Sequence, residues 1–422
     1  MSTPYRRNAK TPAGRIAATP STANWGGFRG LLKKYPGAAA AYSLRKIGSG
    51  PVVRLRRASD NAEKDFYAGE VIGSSESSEL VTNGDFATDS DWTKGTGWSI
   101  TGGQAVCDGT NVTRSFISQN GIYPSPTPWI KITFTVVACS DFTNAGFFAS
   151  ASSLSTFSSR EITTTGTYSI ILDRSDGGTA NFRFFTEAGV TLTVDDASCV
   201  TYTPTAAELW ALENVPTQGS RQTTDSAYAA TWYDQSGSGN DATQSTAASQ
   251  PLLVRAGVTN TENGKAALSF DGTDDGLIFS GPISSSAADY YGSVAGAVSA
   301  GGYLIYGSNQ STIMGFGASS GYWNNAPRGT GTWKSSTQQL STWSLVATDQ
   351  AATFINGVDD QSGLTYSQQE WGIVANQCSI MFKYDGTSHS TGNLQEVIVY
   401  PSDQTSNRIG IETNINDHYG IY

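Results

Sequence analysis

Residues 129–138 read WIKITFTVVA, with an apolar residue at every second position over most of the run. Successive side chains of a β-strand point to opposite faces, so this alternation predicts a strand with one buried face. The composition is rich in Gly, with 46 residues, and only 15% charged. We therefore predict an all-β protein. Similar runs flank the first one: AYSLRKI (41–47), VVRLRRA (52–58), TYSIILD (167–173), NFRFFTE (181–187), KAALSFDG (265–272) and LQEVIVY (394–400).

The order of these runs predicts four segments. Residues 1–36 form an extended N-terminal arm, because prolines interrupt a stretch that has few residues able to build a core. A β-sandwich begins in residues 37–79 and resumes in residues 204–422. Residues 80–203 form an antiparallel jelly roll inserted into it, which a surface loop tolerates when the ends of the insert lie close together.

Three shorter signals belong to the outer sandwich. The pair Asn356-Gly357 predicts a hairpin turn, since both residues tolerate positive φ. Residues 205–215, TAAELWALENV, predict a short helix. A final helix is expected near residues 407–416, where Ile409, Ile411 and Ile415 offer an apolar face.

Charge is unevenly distributed along the chain. Twelve Lys or Arg residues and no Asp or Glu precede Asp60, whereas the rest holds 14 basic and 36 acidic residues. This basic head predicts docking on a negatively charged surface; a solvated tail and nucleic-acid binding are the alternatives. The anchoring residues are predicted to be Arg6, Arg7, Lys10, Arg15, Trp25 and Phe28.

Neither a membrane span nor a signal peptide is expected, because no stretch approaches 18 apolar residues and no apolar run follows the first basic residues. The four cysteines, Cys107, Cys139, Cys199 and Cys378, lack metal-ligand spacing. Free thiols are predicted, with one disulfide inside the middle segment as an alternative.

Two motifs resemble the catalytic domain of fungal-type α-L-arabinofuranosidases. The first is Ala41-Tyr42-Ser43-Leu44-Arg45, followed by VRLRRASD (53–60), and the second is TWYDQSGSGNDATQ (231–244). The resemblance covers roughly residues 38–78 and 205–275 and implies a concanavalin-like β-sandwich. Phage tail and virion proteins commonly carry this motif pair without the remaining parts of the enzyme.

The C-terminal half resembles a laminin-G or concanavalin-like lectin sandwich. The segments that match are Trp343-Ser344-Leu345-Val346-Ala347, the hairpin ATFING (352–357) and the closing strand GNLQEVIVYP (392–401). The resemblance extends over about 150 residues and implies a lectin-like fold.

The middle segment resembles the carbohydrate-binding modules attached to glycanases. Those modules begin with a strand like Asn83-Gly84-Asp85-Phe86 and end with one like Val194-Asp195-Asp196, and the two strands run side by side. The resemblance implies that Asp85 and Asp196 hold a structural Ca²⁺, which prefers oxygen ligands; ordinary turns at the strand ends are the alternative. Asp271, Asp274 and Asp275 offer a weaker Ca²⁺ site. No other cofactor is expected.

The sequence predicts no enzyme, so we assign no catalytic residue. A retaining glycosidase needs two carboxylates about 5–5.5 Å apart. In the arabinofuranosidase family the nucleophilic Glu follows the second motif, yet residues 290–348 contain no Asp or Glu. The segment Asp234-Gln235-Ser236-Gly237 is more typical of a hydrogen-bonded turn than of a catalytic pair. Glu396 is interpreted as an edge charge or a buried partner.

Loop aromatics favour carbohydrate binding, because sugar rings present apolar C–H faces. We predict a role in stacking for Trp92, Trp98, Tyr322, Trp323 and Trp333, although Trp92 and Trp98 are equally suited to the core of the inserted module. Aromatic residues within strands, such as Phe134, Phe182 and Phe184, are predicted to be core.

Together these features predict a structural virion surface protein of a bacteriophage: a tail fibre, a spike or a head decoration. The arm would anchor it to other virion proteins of capsid, portal or tail, it would form a homo-oligomer, and its sandwiches would bind a host-surface glycan. One alternative is a capsid cement protein with protein contacts only. The other is an active arabinofuranosidase-like glycoside hydrolase.

Overall fold

The computed structural model describes residues 30–72, 75–76, 79–122, 129–151, 164–173, 180–212, 225–280, 290–298, 303–307, 312–316, 321–323, 326–328, 337–346, 350–365, 377–382, 386 and 388–422. All residues predicted to anchor the arm lie outside these ranges. None of the helices in the described parts of the chain is long and apolar enough to cross a membrane.

The N-terminal part and the inserted part contain the first thirteen strands. Before the insert lie α1 (Leu31–Lys34), β1 (Ala40–Ser43), β2 (Val53–Arg57), β3 (Glu63–Phe66) and α2 (Ala68–Val71). Strand β4 (Ser75–Glu76) precedes the insert, which contains β5 (Thr93–Lys94), β6 (Trp98–Thr101), β7 (Gln104–Asp108), β8 (Ser115–Gln119), β9 (Trp129–Cys139), β10 (Ala145–Ala151), β11 (Gly166–Asp173), β12 (Ala180–Thr186) and β13 (Thr191–Thr203).

The C-terminal part returns to the outer fold. Its first elements are α3 (Ala206–Ala211), β14 (Ala227–Trp232), β15 (Ala242–Thr243), β16 (Leu252–Arg255), β17 (Val258–Thr259), β18 (Thr261–Glu262), β19 (Lys265–Ala266), β20 (Leu268–Asp271), β21 (Leu277–Ser280) and β22 (Tyr290–Val298). The remainder are β23 (Tyr303–Gly307), β24 (Thr312–Phe316), β25 (Gly321–Trp323), β26 (Ala326–Arg328), β27 (Gln339–Val346), β28 (Gln350–Ile355), β29 (Val358–Thr365), β30 (Gln377–Ile380), β31 (Thr391–Tyr400) and α4 (Arg408–Tyr419).

The outer strands form two rows that face a common core. One row runs β29-β28-β27-β22-β31, and β31 continues to β20 along its first half and to β1 along its second half. The other row runs β26-β25-β24-β23-β30-β21-β15-β14-β2-β3. Strand β16 joins the rows by pairing with both β14 and β20, which closes the system. Buried residues from both rows form one cluster, as in a β-sandwich.

The insert has two sheets and a core of its own. The first sheet has the order β10-β12-β8-β5; the second has the order β11-β9-β13-β7-β6, and β4 pairs with β13. Within the described residues, these strands pair only with one another. The alternation of WIKITFTVVA places Ile130, Ile132, Phe134 and Val136 in the core between the sheets. The predicted all-β sandwich fold is thus confirmed.

Local chemistry explains several turns and helix ends. Asn356 and Gly357 have φ of +53° and +75°, which confirms the predicted hairpin turn between β28 and β29. The side chain of Thr205 accepts a hydrogen bond from the backbone N–H of Glu208 and caps α3.

The C-terminal helix covers the outer side of the first row. Ile411 and Ile415 are buried there, together with Tyr419, against residues of β1 and β31. The inclusion of Ile409 in this apolar face was wrong: its side chain is 68% exposed. Positions four apart share one helix face, whereas Ile409 lies about half a turn away from Ile411.

Candidate functional site

The Asp234 carboxylate, in the second motif, is occupied by hydrogen bonds of the fold. Its Oδ1 accepts from the backbone N–H groups of Ala41 and Ser236, each at 2.9 Å. Its Oδ2 accepts from Ser236 Oγ at 2.8 Å and from the N–H of Asn240 at 3.0 Å. These bonds close the turn and fasten it to β1, which confirms the prediction of a hydrogen-bonded turn at this motif.

The neighbouring Gln235 ties the two motifs together. Its Oε1 accepts from the backbone N–H groups of Ile47 and Gly48 at 2.9 and 3.1 Å. Its Nε2 donates to the carbonyl oxygens of Ser43 and Arg45 at 2.7 and 3.1 Å. All four hydrogen bonds that the amide can make in this setting are formed. The motif pair is therefore a structural unit that spans the N-terminal and C-terminal parts of the outer fold.

Glu396 is a buried partner rather than an edge charge. Arg45 donates to both of its carboxylate oxygens, from Nε at 2.7 Å and from Nη2 at 2.9 Å. Ser43 Oγ donates to the same carboxylate at 2.8 Å, and the hydroxyl of Tyr419 lies 3.3 Å from it. The Glu396 side chain is 1% exposed. These contacts fix β31 to the first motif and to α4.

A groove runs along the outer face of the first sheet of the insert. Alternation along β8 and β12 sends Ile117, Phe182 and Phe184 into the core. Phe116 and Phe185, which pair across the two strands, therefore lie on the opposite face. The groove has a volume of about 490 Å³. Its lining comprises Thr93, Lys94, Gly95, Thr96, Val112, Thr113, Arg114, Ser115, Phe116, Ser118, Asn120 and Arg183.

Two aromatic rings form the base of this face. The centroids of Phe116 and Phe185 are 6.5 Å apart, at an interplanar angle of 45°. The Phe185 ring lies over β10 at Gly146, where a Cβ atom would come within 2.7 Å of Phe185 Cε1. Glycine at this position therefore leaves room for the ring.

Two arginines lie on these rings. The guanidinium carbon of Arg183 is 5.6 Å from the centroid of Phe116, and that of Arg114 is 5.2 Å from the centroid of Phe185. Both distances are typical of cation–π contacts. Arg114 Nε also donates to Glu187 Oε1 at 2.7 Å, so Glu187 holds this side chain in place.

The edge of the groove is built from hydroxyl and amide groups. Ser118 pairs across the strands with Arg183 and with Thr93. Asn120, exposed at the end of β8, also lines the groove. Ser115 Oγ donates to the carbonyl of Thr96 at 2.7 Å and fixes the loop that forms one wall. The result is an aromatic base edged by hydrogen-bonding groups, which is the surface that a sugar ring requires.

Sequence reasoning missed these residues, although the signal was present. In the run NFRFFTE, Phe182 and Phe184 were correctly predicted to be core residues, and both are fully buried. The same period places Arg183 and Phe185 on the other face of the strand. An arginine between aromatic residues in an alternating run is the feature that indicates this site.

The prediction that Trp92 and Trp98 stack on sugars was wrong. Each is 6% exposed and belongs to the core of the insert. The Trp92 ring packs 5.0 Å from Phe86, and its Nε1 donates to the carbonyl of Asn83 at 3.0 Å. The alternative of a core position therefore applies to both residues.

The remaining predicted binding residues are not tested. Tyr322 and Trp323 belong to β25, whose backbone pairs with β24 and β26, but their side chains lie outside the described residues. Trp333 lies outside them entirely. A role in glycan binding stays a prediction for all three.

Asp85 and Asp196 lie on adjacent segments, as the resemblance to carbohydrate-binding modules implies. The N–H of Ala197 donates to the carbonyl of Gly84 at 2.8 Å. Both aspartates are exposed, and Asp196 has a φ of +49°. Asp85 Oδ1 accepts from the N–H of Ala87 at 3.3 Å, as expected at a turn. Calcium binding here stays a prediction.

A cluster of acidic residues lies in the turn after β20. Ligand oxygens of Asp271, Asp274 and Asp275 are all within 4.8 Å of one another. Asp271 Oδ1 accepts from the N–H of Thr273 at 2.7 Å, and Asp275 Oδ2 accepts from the N–H of Asp271 at 2.9 Å. Burial raises the pKa of Asp275 to about 7. Hydrogen bonds within the turn thus account for the arrangement of these carboxylates.

The cysteine prediction is confirmed. Cys107, Cys139, Cys199 and Cys378 are not joined by any disulfide, and three of them are buried. The alternative of a disulfide inside the middle segment was wrong.

Comparison with known proteins gives matches among solved structures only. No protein-family model and no curated protein matches the sequence. A sialidase from Trypanosoma rangeli matches with a TM-score of 0.33 and 12% identity, over 60% of this chain and 43% of that one. A mutant of the same sialidase that displays trans-sialidase activity matches with a TM-score of 0.34 and 9% identity, over 76% and 52%.

A carbohydrate-binding module of family 29 also matches. Its TM-score is 0.22 and its identity 13%, over 32% of this chain and 94% of the module. The chain spans about half the length of the sialidases it matches. The structures named are thus sialidases and a carbohydrate-binding module, and they do not bear on a virion location.

The prediction that this chain is not an enzyme is contradicted by these matches, because sialidases are enzymes. The absence of acids from residues 290–348 argued only against the arabinofuranosidase arrangement. Because the TM-scores of these matches are below 0.5, the matches do not assign an activity to this chain. We assign no catalytic residue.

Proposed function

We propose that this chain binds glycan in the groove on the outer face of the β5-β8-β12-β10 sheet. The observation that carries the proposal is Phe116, which lines the groove on the outer face of a sheet whose other face is already filled by a core, with Phe185 beside it and only 7% exposed. Aromatic residues in strands ordinarily point to the core. Here a second layer of them supports a lining of hydroxyl, amide and guanidinium groups.

The dimensions and chemistry of the groove suit a saccharide. Its volume of about 490 Å³ falls within the range of small-molecule sites, roughly 300–1,000 Å³. Seven of the twelve lining residues carry a hydroxyl or amide side chain or are glycine, so the walls provide donors and acceptors close to the backbone. The strands provide a rigid support, which reduces the entropy lost on binding.

The test is a glycan array probed with the full chain and with two variants. Phe116→Ala removes the ring under Arg183, and we expect it to lower the signal for bound glycans by about two- to tenfold, since an aromatic contact contributes about 0.5–1.5 kcal/mol beyond its buried area. Tyr168→Ala is the control: this half-buried aromatic lies on β11 of the other sheet. Thermal unfolding establishes that both variants are folded.

Two results would count against glycan binding at this groove. One is the absence of binding by the wild-type chain to any glycan on the array. The other is an equal loss of signal in the two variants, which would place binding elsewhere or attribute the loss to reduced stability.

We propose further that the chain displays this groove on the surface of a bacteriophage virion, as a homo-oligomer anchored by residues 1–36. Support comes from the sequence alone: the basic residues before Asp60 and the motif pair found in phage proteins. A variant that lacks residues 1–36 should bind glycan with unchanged affinity but fail to enter particles. Its incorporation at the wild-type level would show that the arm does not anchor the protein.

A further inference from the structure

We infer that the groove selects glycans that carry a carboxylate, and that Arg183 is the residue that binds it. This inference rests on the proposed function, since it names the class of glycan that the same groove takes. It depends on three observations: how charge is distributed in the insert, which cations already have partners, and how Arg183 is held.

Charge is separated within the insert. Residues 80–203 hold 11 Asp or Glu and 6 Lys or Arg residues, a balance of −5. Three of the six cations, Lys94, Arg114 and Arg183, line the groove, whereas none of the acids is among its described lining residues. A cation without an acidic partner in such a groove attracts anions to that face of the module.

The three cations differ in their partners. Lys94 forms an ion pair with Asp89, and Arg114 forms one with Glu187. None of the described carboxylates lies within ion-pair distance of the Arg183 guanidinium. The guanidinium also forms no hydrogen bond with any described residue. Arg183 is therefore the cation of the groove whose donors are free for a ligand.

The position of Arg183 suits a carboxylate. Its guanidinium lies on the Phe116 ring, with the carbon 5.6 Å from the ring centroid. A cation–π contact of this kind uses none of the N–H groups of the guanidinium, so they can donate to two carboxylate oxygens at once. Ser118, directly across the strands from Arg183, and the exposed Asn120 lie beside it to contact neighbouring hydroxyls.

The experiment measures binding of the full chain to three pairs of saccharides by calorimetry. The acids are trigalacturonic acid, a hyaluronan tetrasaccharide and 3′-sialyllactose, and each is compared with its methyl ester, which keeps the sugar but removes the charge. Arg183→Gln is compared with Lys131→Gln, which removes one positive charge from β9 on the opposite sheet. The glycan array of neutral sugars is run beside them.

The wild-type chain should bind at least one acid about tenfold or more tightly than its ester, the effect of one charge-assisted hydrogen-bond pair. Arg183→Gln should abolish this ratio while affinity for the ester changes less than about twofold, and Lys131→Gln should keep it. The inference is overturned if esters bind as tightly as acids, if Arg183→Gln weakens both forms equally, or if only neutral array glycans bind. If no saccharide of either kind binds, the proposed function fails together with the inference.

Discussion

The Glu396→Gln substitution tests whether the first motif is held by a buried ion pair. Glutamine keeps the shape of the side chain but replaces one acceptor oxygen with an NH₂ group that faces the donors of Arg45. In the wild-type protein both oxygens accept from Arg45, at 2.7 and 2.9 Å, and the Glu396 side chain is 1% exposed. Removing one partner of a buried pair leaves an uncompensated charge, which costs about 3–5 kcal/mol. We expect Glu396→Gln to lower the free energy of unfolding by that amount.

Asp65→Asn provides a control with the same geometry in a different environment. Arg54 donates to Asp65 from Nε at 2.7 Å and from Nη2 at 3.0 Å, and these side chains are 41% and 39% exposed. The hydrogen bond from Arg54 lowers the pKa of Asp65. Because water screens an exposed pair, its loss should cost only about 0–1 kcal/mol.

Equilibrium urea unfolding, followed by tryptophan fluorescence, measures both losses, and the transition of the outer fold is separated from that of the insert by its midpoint. The double variant Arg45→Met, Glu396→Leu should recover most of the loss, since it removes both charges. The reasoning fails if Glu396→Gln costs less than about 1 kcal/mol, or no more than Asp65→Asn.

Three further predictions concern other parts of the chain. Asp234→Ala removes the acceptor of four hydrogen bonds and should lower the free energy of unfolding by about 2–4 kcal/mol in the same urea assay; a change below about 0.5 kcal/mol would show that the turn does not need the carboxylate. Burial raises the pKa of Asp275 to about 7, so the wild-type protein loses stability as the pH rises from about 4 through 7 and this carboxyl ionises. Asp275→Asn should therefore raise the free energy of unfolding by roughly 1–2 kcal/mol at pH 8, a value limited by solvent screening, and by much less at pH 4. Equal effects at both pH values would contradict this. Gly146→Ala places a methyl group against the Phe185 ring and should weaken binding on the glycan array about tenfold, whereas unchanged binding would remove Phe185 from the site.

Much of the fold followed from the sequence because its determinants are local. Period-two alternation identified the strands, and Asn356-Gly357 identified a hairpin, since few other residue pairs adopt its φ values. The turn at Asp234 was predictable because an aspartate before a serine and glycine bonds to its own backbone.

Other features depend on contacts that are distant in sequence. The sequence did not decide between an edge charge and a buried partner for Glu396, because its partner Arg45 lies 351 residues away. Similarly, Trp92 has polar neighbours, as a binding residue does, but Phe182 and Phe184 of the facing strand enclose it. Polarity of the flanking residues is therefore a poor guide to the exposure of a tryptophan.

The groove was not predicted because alternation shows that a strand has two faces but not which one meets solvent. In NFRFFTE the apolar residues on both faces favour a strand buried on two sides, yet only Phe182 and Phe184 are fully buried. Arg183 shows which face of the strand meets solvent, because a charged residue cannot enter a core without a partner. Phe185 on that face is 7% exposed and lies under the Arg114 guanidinium, whereas Phe116 beside it lines the groove. An aromatic residue that lines a groove on the same sheet face as an unpaired arginine therefore indicates a binding surface, even where the flanking sequence is strongly apolar.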